Sequence, residues 1–117
     1  AAVKTRVDVD RPAIIHHDDI FTATDAQDLE VMAVVTDDIG VKQVYLYYRV
    51  AGASSFVSVK MKESVSGVYT TIVPARAITP VGLEYYIVAS DTEDNLTYHS
   101  TPDLPQFVAI PPRTLDR

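Results

Sequence analysis

The feature that most constrains this chain is a period of two in its apolar residues, interrupted at regular intervals by glycine and proline. Along residues 29–36, the odd positions Leu29, Val31, Ala33 and Val35 form one continuous apolar face. Successive side chains of a strand point to opposite faces, so this pattern predicts a strand with one buried side. No segment shows the spacing of an amphipathic helix over three turns.

The other apolar runs repeat the pattern and are rich in Val, Ile, Tyr and Thr, which suit a pleated surface. We predict strands near 12–16, 29–36, 41–50, 55–62, 68–74, 83–91 and 96–109, the last one broken at Pro102 and Pro105. In the fourth strand, Val57, Val59 and Met61 are expected to share one face, opposite Ser58, Lys60 and Lys62. The strand at 83–91 alternates less cleanly, as expected of a central strand buried on both faces.

All four glycines and all seven prolines lie between these runs or at their edges. Turn geometry and a missing amide donor are tolerated there. About seven short strands separated by such turns predict an all-β fold, an antiparallel immunoglobulin-like two-sheet sandwich. We expect residues 11–112 to form this domain, with 1–10 as an N-terminal linker and 113–117 as a C-terminal tail.

The charge balance argues against nucleic acid as a partner. The chain has 10 Lys and Arg against 16 Asp and Glu, a net charge of −6, and its basic residues are scattered. Phosphate binding needs clustered basic residues. The longest apolar runs, such as 31–35, are too short to cross a bilayer, so we expect no membrane insertion. The absence of cysteine excludes disulfides, thiol catalysis and thiolate metal sites.

The segment from Ile78 to Ala89 contains a hydrophobic residue, a turn with Pro80 and Gly82, and then Tyr85. It resembles the entry to strand F of fibronectin type III domains, where a tyrosine at this position forms the tyrosine corner. The resemblance implies that the ring of Tyr85 is buried and that its hydroxyl bonds a nearby backbone group.

Three further stretches, 29–49, 67–75 and 82–95, resemble the Ig-like repeats of large bacterial extracellular proteins. The likeness rests on motifs such as Thr36-Asp37-Asp38-Ile39-Gly40-Val41 and Gly82-Leu83-Glu84-Tyr85-Tyr86-Ile87. Family members often carry Gly before Asn95, where this chain has Asp94. The resemblance covers roughly residues 12–100 and implies the fold and an extracellular or cell-envelope location, with any signal peptide outside this stretch. It leaves function open, because such repeats serve as spacers, adhesion units and enzyme accessories.

Carboxylates cluster at one predicted end of the sandwich, where the loops at 37–38 and 91–95 should meet, together with Asp8, Asp10 and Glu63. Calcium takes six to eight oxygen ligands. The sequence therefore predicts a calcium site formed by Asp37, Asp38, Asp91, Glu93, Asp94 and Asn95. The spacing matches no EF-hand loop. The alternatives are that Asp and Asn simply suit turns, or that these loops form a joint with a preceding domain.

An aromatic stripe is the second candidate. If the even positions of residues 41–50 face inward, then Tyr45, Tyr47 and Arg49 face outward, and the neighbouring strand adds Tyr86. Such a stripe could bury against a protein partner or grip a sugar ring. The alternative is cross-strand pairing that only stabilises the sheet.

The third candidate is the run His16-His17-Asp18-Asp19. Adjacent residues of a strand point to opposite faces, so His16 could share a zinc or nickel ion with Asp18, or His17 with Asp19. The last strand could pair beside the first, which would bring His99 to such a site. Histidines without a metal are the alternative.

No catalytic motif is present: Ser54, Ser55 and Ser64 lie in turn-like stretches without a nucleophile elbow, and there is no P-loop or dinucleotide fingerprint. We therefore expect a non-catalytic module that spaces or docks neighbouring domains of a larger secreted or envelope bacterial protein. Its expected partners are adjacent domains of the same polypeptide or another surface protein. The alternatives are a carbohydrate-binding module that uses Tyr45, Tyr47 and Tyr86, and a calcium-dependent adhesion repeat. We expect no cofactor other than this calcium.

Overall fold

The computed structural model describes residues 13–113, which form two antiparallel β-sheets packed face to face. The strands are β1 (Ile14–His16), β2 (Leu29–Thr36), β3 (Val41–Val50), β4 (Val57–Lys60), β5 (Lys62–Val65), β6 (Val68–Val73), β7 (Leu83–Asp91), β8 (Leu96–His99) and β9 (Gln106–Val108). A short 3₁₀ helix, Ala75–Ala77, lies between β6 and β7. The immunoglobulin-like sandwich is confirmed. The predicted linker at 1–10 lies outside the described residues, as do 114–117 of the predicted tail.

The first sheet, sheet I, has the strand order β1-β2-β6-β5, and sheet II has the order β4-β3-β7-β8. β9 also pairs with β7, further along the same edge: Ile87 lies opposite His99, and Leu83 lies opposite Val108. The last predicted strand therefore forms one sheet edge in two pieces. Residues 100–105 interrupt it, as the two prolines in this region predicted.

The core lies between the sheets and takes side chains from both. Its fully buried members include Val31, Val35 and Val73 from sheet I and Val44, Leu46, Leu83, Tyr85, Ile87 and Val108 from sheet II. The alternation predicted for β2 and β3 is confirmed, because buried and more exposed residues alternate along both strands. Tyr85, Tyr86 and Ile87 are consecutive and all buried, which confirms β7 as a central strand covered on both faces.

The prediction of one continuous strand at 55–62 is wrong. β4 pairs with β3 in sheet II, and β5 pairs with β6 in sheet I, so the chain changes sheets at Met61. The Met61 backbone N–H donates to the Val44 carbonyl at 2.8 Å, and its side chain enters the core. The sequence pattern did not reveal this crossing because alternation continues through a strand that switches sheets.

The three residues expected to share one face, Val57, Val59 and Met61, differ in burial because of this split. The Val57 side chain is 51% exposed, whereas Met61 is 2% exposed. β4 is an edge strand with β3 as its one neighbour, and it pairs over only four residues. A side chain at the end of such a strand has fewer neighbours than the same residue in a central strand.

The chain also crosses between the sheets after β1. The Phe21 carbonyl accepts the Ala109 N–H at 2.9 Å, and Thr22 forms a parallel bridge with Ala109, just beyond β9. The stretch 17–23 therefore leaves the edge of sheet I and joins the edge of sheet II. It closes that side of the sandwich.

We expect Met61→Ala to lower the free energy of unfolding by about 2–5 kcal/mol, because it leaves a cavity where the chain changes sheets. Met32→Ala is the matched control, since Met32 is 55% exposed on the outside of sheet I. The control should change stability by no more than about 0.5 kcal/mol. Urea denaturation of both variants measures the difference, and equal losses would contradict a core position for Met61.

Candidate functional site

The outer surface of sheet II carries most of the aromatic side chains outside the core. We call it the aromatic face and define it by Tyr45, Tyr47, Arg49, Phe56, Glu84, Tyr86 and Tyr98. The strand register builds it, because Tyr47 lies opposite Tyr86 and Arg49 lies opposite Glu84. The structure thus brings together all four residues of the predicted stripe.

Sequence reasoning missed the contribution of β8 to this face. Val88 is opposite Tyr98 on one side and Tyr45 on the other, so Tyr98 and Leu96 extend the stripe onto the edge strand. Both are well exposed, Leu96 at 55% and Tyr98 at 47%. Leu96 and Tyr98 are two residues apart, which is the sequence signal for a shared strand face. Two residues are too few to establish such a face without the strand register.

The tyrosine rings of the aromatic face stack on one another. The Tyr47 and Tyr86 rings are parallel, with centroids 4.8 Å apart, and Tyr98 stacks against Tyr86 at 6.3 Å. Phe56 meets Tyr86 edge-on at 5.0 Å. Tyr86 is therefore enclosed by rings, and burial raises the pKa of its hydroxyl, so the group stays protonated at neutral pH.

Arg49 is held in place at one end of this face. Its Nε donates to Glu84 Oε1 at 2.8 Å, and its guanidinium lies over the Phe56 ring, 4.2 Å from the centroid. The two charged side chains are each 22% exposed, so this pair is partly shielded from water. Together with the ring stack, it fixes the shape of the face.

A shallow, open groove of about 470 Å³ runs along the aromatic face. Its lining combines four tyrosines with two polar and two aliphatic residues: Tyr45, Tyr47, Tyr86, Tyr98, Gln43, Ser90, Val88 and Leu96. Among residues 13–113, no carboxylate or histidine lines it. The groove thus offers ring edges, hydroxyls and apolar surface, which is the composition of a contact surface.

The acidic residues of the predicted calcium site lie in two adjacent loops, since the Thr92 N–H donates to the Gly40 carbonyl at 3.2 Å. One oxygen of Asp37 accepts the N–H groups of Ile39 and Gly40. Its other oxygen is buried and has no hydrogen-bond partner within residues 13–113. Glu63 lines the same depression as Asp37, whereas Asp8 and Asp10 lie outside the described residues.

The second acidic loop is organised around Asp91, which is almost fully buried. Its carboxylate accepts the backbone N–H groups of Glu93 and Asn95 and the side-chain amide of Asn95. Asp94 pairs with Lys42 at 2.9 Å on the surface and has a positive φ of 66°, a backbone conformation that favours Gly. Both loops use carboxylates to hold their own backbone, and the calcium site stays a prediction.

A separate cluster lies at the side of the sandwich where the chain crosses between sheets. Within residues 13–113, one group of three or more possible metal ligands has its ligand atoms all within 4.8 Å of one another: His17, Asp19 and His99. His99 Nε2 donates to Asp19 Oδ1 at 2.6 Å, and the two imidazole rings meet edge-on at 5.0 Å. We name it the His-Asp-His cluster. Of the two pairings in the sequence hypothesis, the structure brings His17 and Asp19 to His99.

Tyr85 connects this cluster to the core. Its hydroxyl accepts the Ile20 N–H at 3.1 Å and lies 2.6 Å from His17 Nε2, while His17 Nδ1 lies 2.7 Å from the Met32 carbonyl. A carbonyl only accepts, so Nδ1 carries the proton and Nε2 accepts the Tyr85 O–H. The ring of Tyr85 is buried and its hydroxyl bonds a backbone group, as the resemblance implies, and that group lies 65 residues earlier in the chain.

Burial sets the ionisation of this pair. It lowers the pKa of His17, an effect that the hydrogen bond to Met32 opposes and nearby His99 reinforces. It also raises the pKa of Tyr85 to about 12. Both groups are therefore neutral near pH 7, which is the state that the tautomer and the hydrogen-bond directions require.

Comparisons with known proteins show a distant likeness in fold. No protein-family model matches the chain, and no curated protein matches its sequence. Among solved structures, murine CRIg is similar with a TM-score of 0.48 and 11% identity, over 87% of this chain and 98% of that chain. At this distance, the fold assignment rests on the strand pairing described above. No helix within residues 13–113 is long and apolar enough to cross a membrane.

We expect Tyr85→Phe to lower the free energy of unfolding by about 1–3 kcal/mol, because it leaves the Ile20 N–H and His17 Nε2 without their partner. Tyr98→Phe removes a hydroxyl from an exposed edge position and should change stability by no more than about 0.5 kcal/mol. Thermal and urea unfolding of both variants measure the contrast. A Tyr85→Phe protein as stable as the parent would contradict the hydrogen-bonded link.

Acid should destabilise the fold through Asp91. Burial opposes its ionisation, but the hydrogen bonds from the Asn95 side chain and from the Asn95 and Glu93 backbone outweigh it and hold its pKa below the ordinary value of 3.8. A carboxyl whose pKa is lower in the folded state adds stability above its unfolded pKa, and this is lost as the pH falls through the folded value.

We therefore expect Asp91→Asn to flatten the loss of stability below about pH 4, the unfolded pKa of an aspartate. Urea denaturation between pH 2 and pH 7 in the presence of a chelator measures this slope. Asp38→Asn, in the neighbouring loop, should leave the slope in place. A parent protein and an Asp91→Asn variant with parallel pH profiles would show that Asp91 is not the group responsible.

Proposed function

We propose that this domain is a non-catalytic interaction module that docks a neighbouring domain of a larger secreted or envelope protein through its aromatic face. The observation that carries the proposal is the fixed array of rings, with Tyr45 and Tyr98 bordering an open groove. Tyrosine gives a large contact area at a low cost in side-chain entropy, and it is enriched in interfaces.

The arrangement of the rings favours a protein partner over a sugar. A sugar ring stacks on the flat face of an aromatic side chain, but Tyr86 has Tyr47 on one side and Tyr98 on the other. The groove is lined by tyrosine rings, the polar side chains of Gln43 and Ser90, and the aliphatic side chains of Val88 and Leu96. These groups suit a second folded surface with mixed polar and apolar contacts.

The lining of the groove also supports a non-catalytic role. Proton transfer in catalysis usually needs a histidine, carboxylate or lysine within reach of the substrate. The groove is lined by phenols, an amide, a hydroxyl and aliphatic groups instead. Its openness favours contact with a surface over enclosure of a small substrate.

The resemblance to bacterial Ig-like repeats supports the proposed location of this domain and its bacterial source. The motifs shared with Ig-like repeats of large bacterial extracellular proteins support a place at the cell envelope or outside the cell. In such chains a rigid sandwich spaces or orients the domains on either side of it. The sequence led us to expect adjacent domains of the same polypeptide, or another surface protein, as partners. Either kind of partner fits the aromatic face.

The test compares the isolated domain with the longer natural polypeptide by hydroxyl-radical footprinting. If the face docks a neighbour, modification of Tyr45 and Tyr98 should fall in the longer polypeptide, because docking excludes water from both. Met32, exposed on the opposite outer surface, is the internal control and should react equally in both samples. Equal reactivity of the two tyrosines in both samples would count against docking.

Variants sharpen the comparison. Tyr98→Ala should destabilise the docked arrangement by about 1–2 kcal/mol, as truncation of an interface aromatic usually does, and it should affect the isolated domain less. Met32→Ala should affect neither. If the isolated domain instead binds sugars on a glycan array and Tyr45→Ala abolishes that binding, the carbohydrate-binding alternative replaces this proposal.

A further inference from the structure

The His-Asp-His cluster has the composition of a transition-metal site. Two imidazoles and one carboxylate converge from parts of the chain 80 residues apart, with all candidate ligand atoms within 4.8 Å of one another. Imidazole nitrogen suits zinc, copper, iron and nickel, whereas calcium and magnesium prefer oxygen ligands. The donor set of the cluster therefore favours a transition metal, whereas the acidic loops would favour calcium.

The fold explains why these residues meet. His17 directly follows β1, where the chain leaves sheet I, and Asp19 lies two residues further along the crossing. His99 is the last residue of β8, next to the break in the edge of sheet II. The three side chains are therefore at a seam between two sheet edges, partly open to solvent: the Asp19 side chain is 39% exposed and that of His99 is 24% exposed.

His17 already has the hydrogen bonding of a metal ligand. Metal-bound histidines almost always donate their second ring N–H to a carboxylate or carbonyl, which fixes the tautomer and the ring orientation. The His17 Nδ1–H donates to the Met32 carbonyl at 2.7 Å, so the lone pair of Nε2 is presented on the other side. Its present partner there is the Tyr85 hydroxyl.

We propose that His17, Asp19 and His99 bind one divalent transition-metal ion, with zinc as the ion that their geometry fits best. Zinc accepts three protein ligands and a water in a tetrahedral site, with ligand atoms roughly 3.3 Å from one another at ordinary bond lengths. The present ligand atoms lie within 4.8 Å of one another, so the longest separation has to shorten by at most about 1.5 Å (4.8 − 3.3) to reach this spacing. Asp19 and His99 are partly exposed, which leaves them room to move. The fourth position faces solvent and takes a water.

The bound ion replaces two hydrogen bonds. The hydrogen bond from His99 to Asp19 is replaced by a bond from each residue to the metal. The Tyr85 hydroxyl no longer donates to His17 Nε2, because the lone pair of that nitrogen binds the ion. Tyr85 keeps the N–H of Ile20 as a partner. The ion then joins the crossing segment to β8, which ties the two sheets together at the side that this segment closes.

The environment favours a cation. Besides Asp19, the carboxylate of Asp18 contributes to the potential at His17. The whole chain has a net charge of −6. The field of these charges raises the local concentration of cations. The metal site does not depend on the docking role of the aromatic face, which lies on the outside of sheet II.

The test measures binding of Zn²⁺ alone to the whole chain by isothermal titration calorimetry, and binding of Co²⁺ by visible absorption. We expect one ion per chain, and a cobalt spectrum of the intensity that tetrahedral coordination gives. Excess Ca²⁺ should not displace the ion, since two of its ligands are imidazoles. Saturating Zn²⁺ should also raise the melting temperature, because the ion binds the folded state.

Matched variants locate the site. Asp19→Asn and His99→Gln should each weaken binding at least about tenfold, because even the partners of metal ligands contribute that much to affinity. His16→Gln changes the same residue type at a neighbouring position and should bind like the parent. Asp18→Asn removes a nearby charge but no ligand, so it should weaken binding much less than Asp19→Asn. Circular dichroism of each variant establishes that the fold is intact.

Tyr85→Phe distinguishes this site from nonspecific binding of Zn²⁺ at surface residues. It removes the competitor for the His17 lone pair, so affinity for Zn²⁺ should rise by about two- to tenfold, the equivalent of one hydrogen bond. Loss of the binding in the His16 and Asp18 variants, or unchanged binding in the Asp19 and His99 variants, would overturn the site. So would a folded parent protein that takes up no ion.

Discussion

Burial of one face of each sheet against the other is the constraint on which the rest of this structure depends. Residues such as Val31, Leu46 and Ile87 have no exposed surface, and each such side chain contributes roughly 1.5–3 kcal/mol when it leaves water. Neither sheet can gain this alone. The chain therefore has to distribute its strands over two sheets. It crosses between them after β1, after β2, at Met61 and after β6.

These crossings create the places where polar groups meet the core. At the first crossing the backbone leaves its strand, and its polar groups need partners other than a sheet ladder. The hydroxyl of Tyr85 and the ring of His17 supply them, in a continuous chain from the Ile20 N–H to the Met32 carbonyl. The same arrangement orients His17 toward Asp19 and His99, so the requirement for hydrogen bonds and the proposed metal site share one geometry.

The aromatic face combines side chains that stabilise the sheet with side chains that remain exposed. Tyr86 is nearly buried by its neighbours and stabilises the pairing of β3 with β7. Tyr98 and Leu96, on the edge strand β8, contribute exposed surface instead. The interior of the stripe is thus part of the sheet, and its borders are available to a partner.

The sequence by itself determined the strands, their inward faces and the outward position of Tyr45, Tyr47 and Tyr86, because alternation is a local property of an extended chain. It did not determine which sheet a strand joins. The split at Met61, the exposure of Val57, the distant partners of Tyr85 and the meeting of His17 with His99 all depend on pairings between residues far apart in sequence. Only the tertiary structure decides these, because the register of one sheet edge against another is set by the packing of the whole core.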